Sequence, residues 1–183
     1  MASRTDFTDE EWSALRRGLV AGEEAVRAAG PTGWFGRFKE SRALKREWTS
    51  LVERYGQTDM AKALIAEEGS APIASIRIEE GKADAFIRDA IAACRSAAAI
   101  LAAKVEPHGA EIYVDVAIEL AETAALADAG HGKQEGITRA EAIVLRRVAE
   151  AFGRSDYQAP RSGDLRVDGS LAVEEAYSRQ NTN

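Results

Sequence analysis

Apolar residues recur every three or four positions in six stretches of the chain, the spacing that places them on one face of an α-helix. Polar residues fill the positions between them, and glycine or proline stands where most of the stretches stop. The predicted helices cover residues 8–30, 37–56, 58–69, 82–104, 110–127 and 138–152. The pattern predicts an all-α protein: one bundle of five to seven helices over residues 1–153 and a flexible polar tail over residues 154–183.

Two of the predicted helices begin with a capping box, in which a threonine and a glutamate three residues later bond to each other's backbone amides. Thr8 and Glu11 form the first pair, and Thr138 and Glu141 form the second. The apolar stripes then define the core. The predicted core residues are Trp12, Leu15, Leu19, Val26, Phe38, Leu44, Trp48, Leu51, Tyr55, Phe86, Ile87, Ile91, Cys94, Ala98, Leu101, Tyr113, Val116, Ala117, Leu120, Ala124, Ile143, Val144, Val148 and Phe152.

Small residues predict where helices approach each other closely. Gly18 and Gly22 lie one turn apart inside the first helix, where each costs about 1 kcal/mol relative to alanine. We interpret them as a site of close helix–helix contact. The helix over residues 82–104 is rich in alanine, so we expect it at the centre of the bundle.

The length, net charge and apolar runs of the chain exclude some classes of function. A chain of 183 residues suits one domain, and its net charge of −6 argues against binding to nucleic acid, which requires many phosphates to be neutralised. The N-terminus lacks an apolar signal segment, and the longest apolar run, residues 97–103, is far shorter than the ~20 residues that span a bilayer. We therefore expect a cytoplasmic protein without a membrane span.

Catalytic signatures are missing from the sequence. It contains no phosphate-binding loop, dinucleotide fingerprint, zinc-protease motif or nucleophile elbow. The single cysteine, Cys94, excludes an intrachain disulfide, and its place on an apolar stripe indicates a small buried hydrophobic residue rather than a reactive thiol. We expect a protein that is not an enzyme and needs no organic cofactor.

Four carboxylates fall along one face of the helix over residues 110–127, at spacings of four, four and three. They are Glu111, Asp115, Glu119 and Glu122. A di-metal bundle would need Glu-x-x-His pairs on facing helices, and neither His108 nor His131 belongs to one. We interpret this face as hydrated or as paired with arginines of the last helix. Those arginines are Arg139, Arg146 and Arg147.

A glycine-rich polar loop precedes the last helix and gathers groups that bind hard cations. The candidate metal ligands are Asp128, His131, Glu135 and Glu141. The loop is not an EF-hand, because the positions that would carry its first carboxylates are Gly130, Gly132 and Gln134. A looser divalent-cation site, or a surface for a partner, remains as the expectation.

Four segments carry a resemblance to known proteins. Residues 6–15 and 33–40 look like bacterial helical proteins of uncharacterised role. Residues 136–141, followed by an apolar helix, are similar to the signature helix pair of TerB-like tellurite-resistance domains, and residues 127–130 match the loop of that family, with residues 131–135 inserted. The resemblance implies a non-enzymatic helical bundle linked to stress or metal-oxyanion resistance. It also implies that Asp128 and Glu141 hold a divalent metal.

These observations lead to three expectations of function. The first is a cytoplasmic TerB-like binding or scaffold domain linked to a divalent cation. The second is a metal-independent interaction domain that pairs with itself or with a protein partner through its charged faces. The third is a small-molecule carrier, whose pocket would be lined by aromatic residues that also suit an ordinary core. Those residues are Trp34, Phe35, Phe38 and Trp48.

Overall fold

The computed structural model describes residues 2–30, 50–51, 54–55, 59–70, 81–129 and 137–160. These residues contain no strand, so the all-α prediction is confirmed. They form a 3₁₀ turn, Arg4–Asp6, and five bounded α-helices: α1 Asp9–Ala29, α2 Asp59–Ser70, α3 Ala83–Lys104, α4 Pro107–Ala129 and α5 Arg139–Ala151. Residues 50–51 and 54–55 are also helical.

The helix starts follow from local sequence. Both predicted capping boxes are present, with Thr8 bonded to Glu11 ahead of α1 and Thr138 bonded to Glu141 ahead of α5. The start of α4 was predicted three residues too late, because Pro107 was taken as part of a break. Proline is well suited to the first position of a helix, where its missing amide hydrogen has no partner to lose. Only residues 105–106 separate α3 from α4.

Helix α1 is the centre of the bundle, and packs most extensively on α3 and α4 and less on α5. It runs antiparallel to α3, since Glu11 near its start bonds to Lys104 at the end of α3, over 2.6 Å. The alanine-rich α3 was therefore wrongly predicted to be central. One stripe of α3 is buried, and its opposite face, which includes Ala99 and Ala102, is exposed.

The two glycines of α1 lie where neighbouring helices come closest, as predicted. A Cβ atom at Gly18 would overlap the Cβ of Ala97 on α3 and lie 3.0 Å from the hydroxyl of Tyr113 on α4. A Cβ atom at Gly22 would lie 2.9 Å from Cγ1 of Val148 on α5. The Tyr113 hydroxyl donates a hydrogen bond to the Leu15 carbonyl over 2.5 Å, which ties α4 to the same region of α1.

The predicted core is confirmed at most positions, and the described residues pack into one apolar cluster. Three of the predicted core residues are only partly buried: Tyr55, Phe86 and Ala98. Phe38, Leu44 and Trp48 lie outside the described residues. Ile143 was wrongly assigned to the core: its side chain is 49% exposed, and Leu145 is buried instead. Successive residues of a helix are about 100° apart, so a stripe that buries Leu145 and Val148 turns Ile143 outward.

Beyond α5 the chain turns back onto α4. Gly153 adopts a φ of +83°, which glycine accepts without strain, and Arg154 and Tyr157 then bond to side chains of α4. The described chain thus continues past the predicted boundary at residue 153. Residues 161–183 of the predicted tail, most of the predicted second helix and the loop over 130–136 lie outside the described residues. No helix within the described ranges has the length and apolarity to cross a membrane.

Replacing Gly18 by alanine tests the close packing of α1. We expect a net loss of roughly 1–2 kcal/mol in the free energy of unfolding, because the overlap with Ala97 outweighs the better helix propensity of alanine. Urea unfolding followed by circular dichroism would measure it. Gly22→Ala is the comparison and should lose less, since its tightest new contact is with a side-chain methyl of Val148. A Gly18→Ala protein as stable as the wild type would contradict the packing argument.

Candidate functional site

The structure places only one of the four predicted metal ligands. Glu141 is buried in the first turn of α5. Asp128 belongs to the last turn of α4, but its side chain is not among those described, and His131 and Glu135 lie outside the described residues. In the described part of the chain no three histidine, cysteine or acidic side chains are grouped so that they could hold a metal. A site that joins these four residues therefore stays a prediction.

Glu141 uses one carboxylate oxygen to cap α5, and its other oxygen has no hydrogen-bond partner among the described residues. Its Oε2 accepts a hydrogen bond from the Thr138 amide over 2.7 Å, and the Thr138 hydroxyl accepts one from the Glu141 amide over 3.2 Å. Only 1% of the residue is exposed, and Oε1 is buried without a hydrogen-bond partner among the described residues. An acceptor buried in this way costs free energy. Among the described side chains of the predicted site, Oε1 of Glu141 is therefore an acceptor with capacity for a cation.

The carboxylate stripe on α4 makes specific contacts within the protein. We name Asp115, Glu119 and Glu122 the α4 acidic face; Glu111, the fourth carboxylate, is exposed. Groups from other parts of the chain contact this face: Arg154 bonds to Asp115 over 2.9 Å, Arg54 forms an ion pair with Glu119, and the Tyr157 hydroxyl donates to Glu122 over 2.5 Å. Tyr55 also forms a hydrogen bond with Glu119. The arginines of α5 that we predicted as partners are not among them.

Burial governs the ionisation of this face. Desolvation raises the pKa of Glu122 above its usual value, and the hydrogen bond from Tyr157 partly offsets the rise. Burial likewise raises the pKa of Asp115, against the opposing effect of Arg154. The pKa of Tyr55 is raised by burial and then by the nearby charges of Glu119 and Asp115. The acidic face thus holds residues 154–160 and the helical residues 54–55 against α4.

Neither Arg154 nor Tyr157 was predicted to contact the α4 acidic face, because both fall in the predicted flexible tail. One signal was available. Tyr157 is an aromatic residue four positions after Gly153 in an otherwise polar segment, and an aromatic ring there is better explained by packing than by a solvated tail. Nothing in the local sequence indicates that its hydroxyl bonds to Glu122, 35 residues away.

Cys94 is buried, in agreement with its interpretation as a small hydrophobic residue. Burial raises the pKa of its thiol to about 12, so the nucleophilic thiolate is scarce at neutral pH. Its Sγ atom lies 3.9 Å from the Gly18 carbonyl oxygen, at the contact between α1 and α3. The aromatic residues of the predicted carrier pocket, residues 34–48, lie outside the described residues.

The outer surface of α5 carries the opposite charge. We name Arg139, Ile143, Arg146 and Arg147 the α5 basic face. Arg139 and Arg146 are exposed, Arg147 is partly exposed, and none of the three forms an ion pair within the described residues. Ile143, between them, is the single large apolar side chain that is exposed in the described ranges. This face thus combines unpaired cations with exposed apolar surface.

An open groove of about 740 Å³ runs beside the α5 basic face. One wall comes from residues 137–139, Ala142 and Arg146, and the other comes from residues 155–160. Both arginines of the groove, Arg139 and Arg146, lie on the first wall, and Tyr157 and Asp156 lie on the second. The bond from Tyr157 to Glu122 fixes this second wall on α4, so the acidic face supports the groove.

Glu122→Gln tests the cost of the buried charge. The folded-state pKa of Glu122 is raised, so its contribution to stability is complete below the unfolded-state pKa of about 4.3 and is lost as pH rises through the folded-state pKa. Glutamine keeps an acceptor for Tyr157 and removes the charge. We expect the variant to be more stable than the wild type at pH 7.5 and to lose this advantage near pH 4.

Chemical unfolding at the two pH values measures this difference. Glu111→Gln, at the exposed carboxylate of the same helix, is the matched control and should change stability little at either pH. A Glu122→Gln protein whose stability relative to the wild type is the same at pH 4 and pH 7.5 would show that burial does not control this carboxylate.

Comparison of the chain with protein-family models, curated proteins and solved structures found no significant match. The fold therefore stands on the described helices and their packing. The TerB-like resemblance remains a prediction from a few residues, chiefly those around Asp128 and Glu141.

Proposed function

We propose that the protein is a non-enzymatic, cytoplasmic binding domain that recognises a protein partner through the α5 basic face and needs no metal ion to do so. The observation that supports this proposal is the exposure of Ile143, 49%, between arginines without ion-pair partners in the described chain. Arginine is enriched at protein interfaces, and the buried core of an interface is more apolar than the rest of the protein surface. The carboxylates of the α4 acidic face, by contrast, bond to other side chains of the same protein.

A partner of different sequence fits this face better than a second copy of the chain. In a twofold symmetric dimer centred on Ile143, the same surface would meet itself. Arg139 of one copy would then lie close to Arg146 or Arg147 of the other, with no carboxylate of the face between them. Like charges brought together in this way are unfavourable. We therefore assign the face to a heterologous partner.

Site-specific photocrosslinking tests the proposed function. Ile143 is replaced by the photoreactive residue benzoylphenylalanine in the full chain, which is expressed in its own cells and irradiated. We expect a discrete protein adduct. Its yield should fall at least about tenfold, the factor that corresponds to 1.4 kcal/mol of binding, when Arg139→Glu and Arg146→Glu are added.

Position 99 is the matched control, because Ala99 is exposed on α3 outside the α5 basic face. The crosslinker at this position should not give the adduct found at position 143. Equal adducts at both positions, or an adduct at 143 that is indifferent to the two charge reversals, would refute recognition through the α5 basic face. Circular dichroism of each variant confirms that the bundle is intact.

A second candidate function is the TerB-like domain linked to a divalent cation and to stress. Its support is the buried Oε1 of Glu141, which has no hydrogen-bond partner among the described residues. A carboxylate oxygen in this position would gain a partner from a bound cation, and the predicted ligand Asp128 belongs to the helix that ends before the same loop. The two candidate functions differ in whether a metal ion is required: the first needs none, and the second depends on a bound divalent cation.

Thermal unfolding after chelator treatment, with calcium, magnesium, manganese or zinc then added in excess, tests the second candidate. A cation that binds only the folded state stabilises it by about 2.7 kcal/mol at one hundred times its dissociation constant. Glu141→Gln is the sharpest variant, because glutamine preserves the capping box and removes the anionic oxygen. The expected result is a cation-dependent rise in Tm that this variant loses. A rise that survives in Glu141→Gln would exclude Glu141 as a ligand.

A further inference from the structure

The charged side chains that line the groove beside α5 limit which class of ligand it can bind. The inference drawn from them rests on the proposed function. Its two arginines, Arg139 and Arg146, are exposed and have no ion-pair partner in the described chain. The arginines of the neighbouring surface differ: Arg154, for example, is bonded to Asp115. Two unpaired cations in one groove of a protein with net charge −6 point to an anionic ligand.

The spacing of the two arginines excludes a single small anion as the ligand of both. Arg139 and Arg146 are seven residues apart on α5, which separates them by about 10 Å along the helix axis at 1.5 Å per residue. One carboxylate or phosphate does not bridge this distance. In a polyproline II segment, which has three residues per turn and rises about 3.1 Å per residue, two residues three positions apart lie on the same side and are separated by about 9 Å. Two carboxylates with that spacing match the two guanidinium groups.

The remaining lining residues disfavour a polyanion. Asp156 stands on the wall opposite the arginines and would repel a ligand that carries a charge at every position. Between the charged positions the walls offer Ala142, Tyr157 and Pro160. These residues supply apolar and aromatic surface; the exposed Ile143 follows Ala142 on α5 but does not line the groove. The middle of the ligand is therefore apolar.

We infer that the groove binds an acidic segment of a partner protein in the extended polyproline II conformation. The segment carries two acidic residues three positions apart with apolar residues between them. One carboxylate pairs with Arg139 and the other with Arg146, and the apolar residues lie against Ala142 and Tyr157. Solvent-exposed ion pairs contribute little each, so the isolated segment binds weakly, with Kd between about 1 µM and 1 mM.

Fluorescence anisotropy with the full chain tests the inference. The probe is the labelled peptide Gly-Ser-Glu-Leu-Val-Glu-Ser-Gly. A neutral peptide with glutamine in place of both glutamates is the first control, and a peptide with adjacent glutamates, Gly-Ser-Glu-Glu-Leu-Val-Ser-Gly, is the second. We expect saturable binding of the probe, and binding that is weaker by about tenfold or more for the neutral control. The adjacent-glutamate control should bind more weakly than the probe, because it spans only one arginine.

Protein variants locate the binding. Arg139→Gln combined with Arg146→Gln should weaken binding of the probe about tenfold or more, whereas Arg88→Gln, at an exposed arginine of α3, should leave it unchanged. The positions changed are exposed, so both proteins should melt like the wild type. Equal binding of probe and neutral peptide, full competition by 10 mM inorganic phosphate, or no saturable binding up to about 1 mM would overturn the inference.

The proposed function and the inferred acidic ligand can be refuted separately. If the photocrosslink at position 143 forms and depends on the arginines but the probe does not bind, the partner is not an extended acidic segment and the proposed function stands. If neither the crosslink nor probe binding is found, both fail. Self-association of the chain that competes with the probe would identify a second copy as the occupant and would also overturn this inference.

Discussion

The close approach of α1 to its neighbours at Gly18 and Gly22 is the constraint on which the rest of the bundle depends. Without Cβ atoms at these positions, α3 brings Ala97 against the α1 backbone, and α4 brings the Tyr113 hydroxyl within bonding distance of the Leu15 carbonyl. This explains why α3 is rich in alanine although it is not central: a helix that packs this closely needs a small-sided stripe. Each glycine weakens α1 as an isolated helix, and the packing that it permits compensates for that loss.

The same contacts determine which surface of α5 faces outward. Val148 packs over Gly22, and the ring of Phe152 meets that of Tyr113 edge-on, with centroids 6.0 Å apart. Two contacts one turn apart fix the rotation of α5 about its axis. Because Ile143 lies on the other side of the helix from this stripe, it is exposed together with the arginines around it. The candidate interaction surface is thus a consequence of packing at the glycines rather than an independent feature.

What the sequence predicts well is short-range. The capping boxes at Thr8 and Thr138 and the stripe through Tyr113 involve residues on adjacent turns, so spacing alone predicts them. Pairings across the fold are not encoded in this way: Arg54 meets Glu119 from 65 residues away. The rotation of α5 also depends on its neighbours, which is why Ile143 was misplaced. Glu141 illustrates the limit at the candidate site, because one sequence pattern predicts both a helix cap and a metal ligand, and the structure places the cap.

Internal pairing on α4 accounts for the charge separation at the surface. Asp115, Glu119 and Glu122 face groups from residues 54–55 and 154–160, so they are not available to the arginines of α5. Those arginines remain cationic on a molecule whose net charge of −6 repels anions at long range. An acidic ligand must therefore gain more from direct contact than it loses on approach. A short segment with few charges and an apolar centre meets this condition, whereas a long polyanion such as a nucleic acid accumulates repulsion along its whole length.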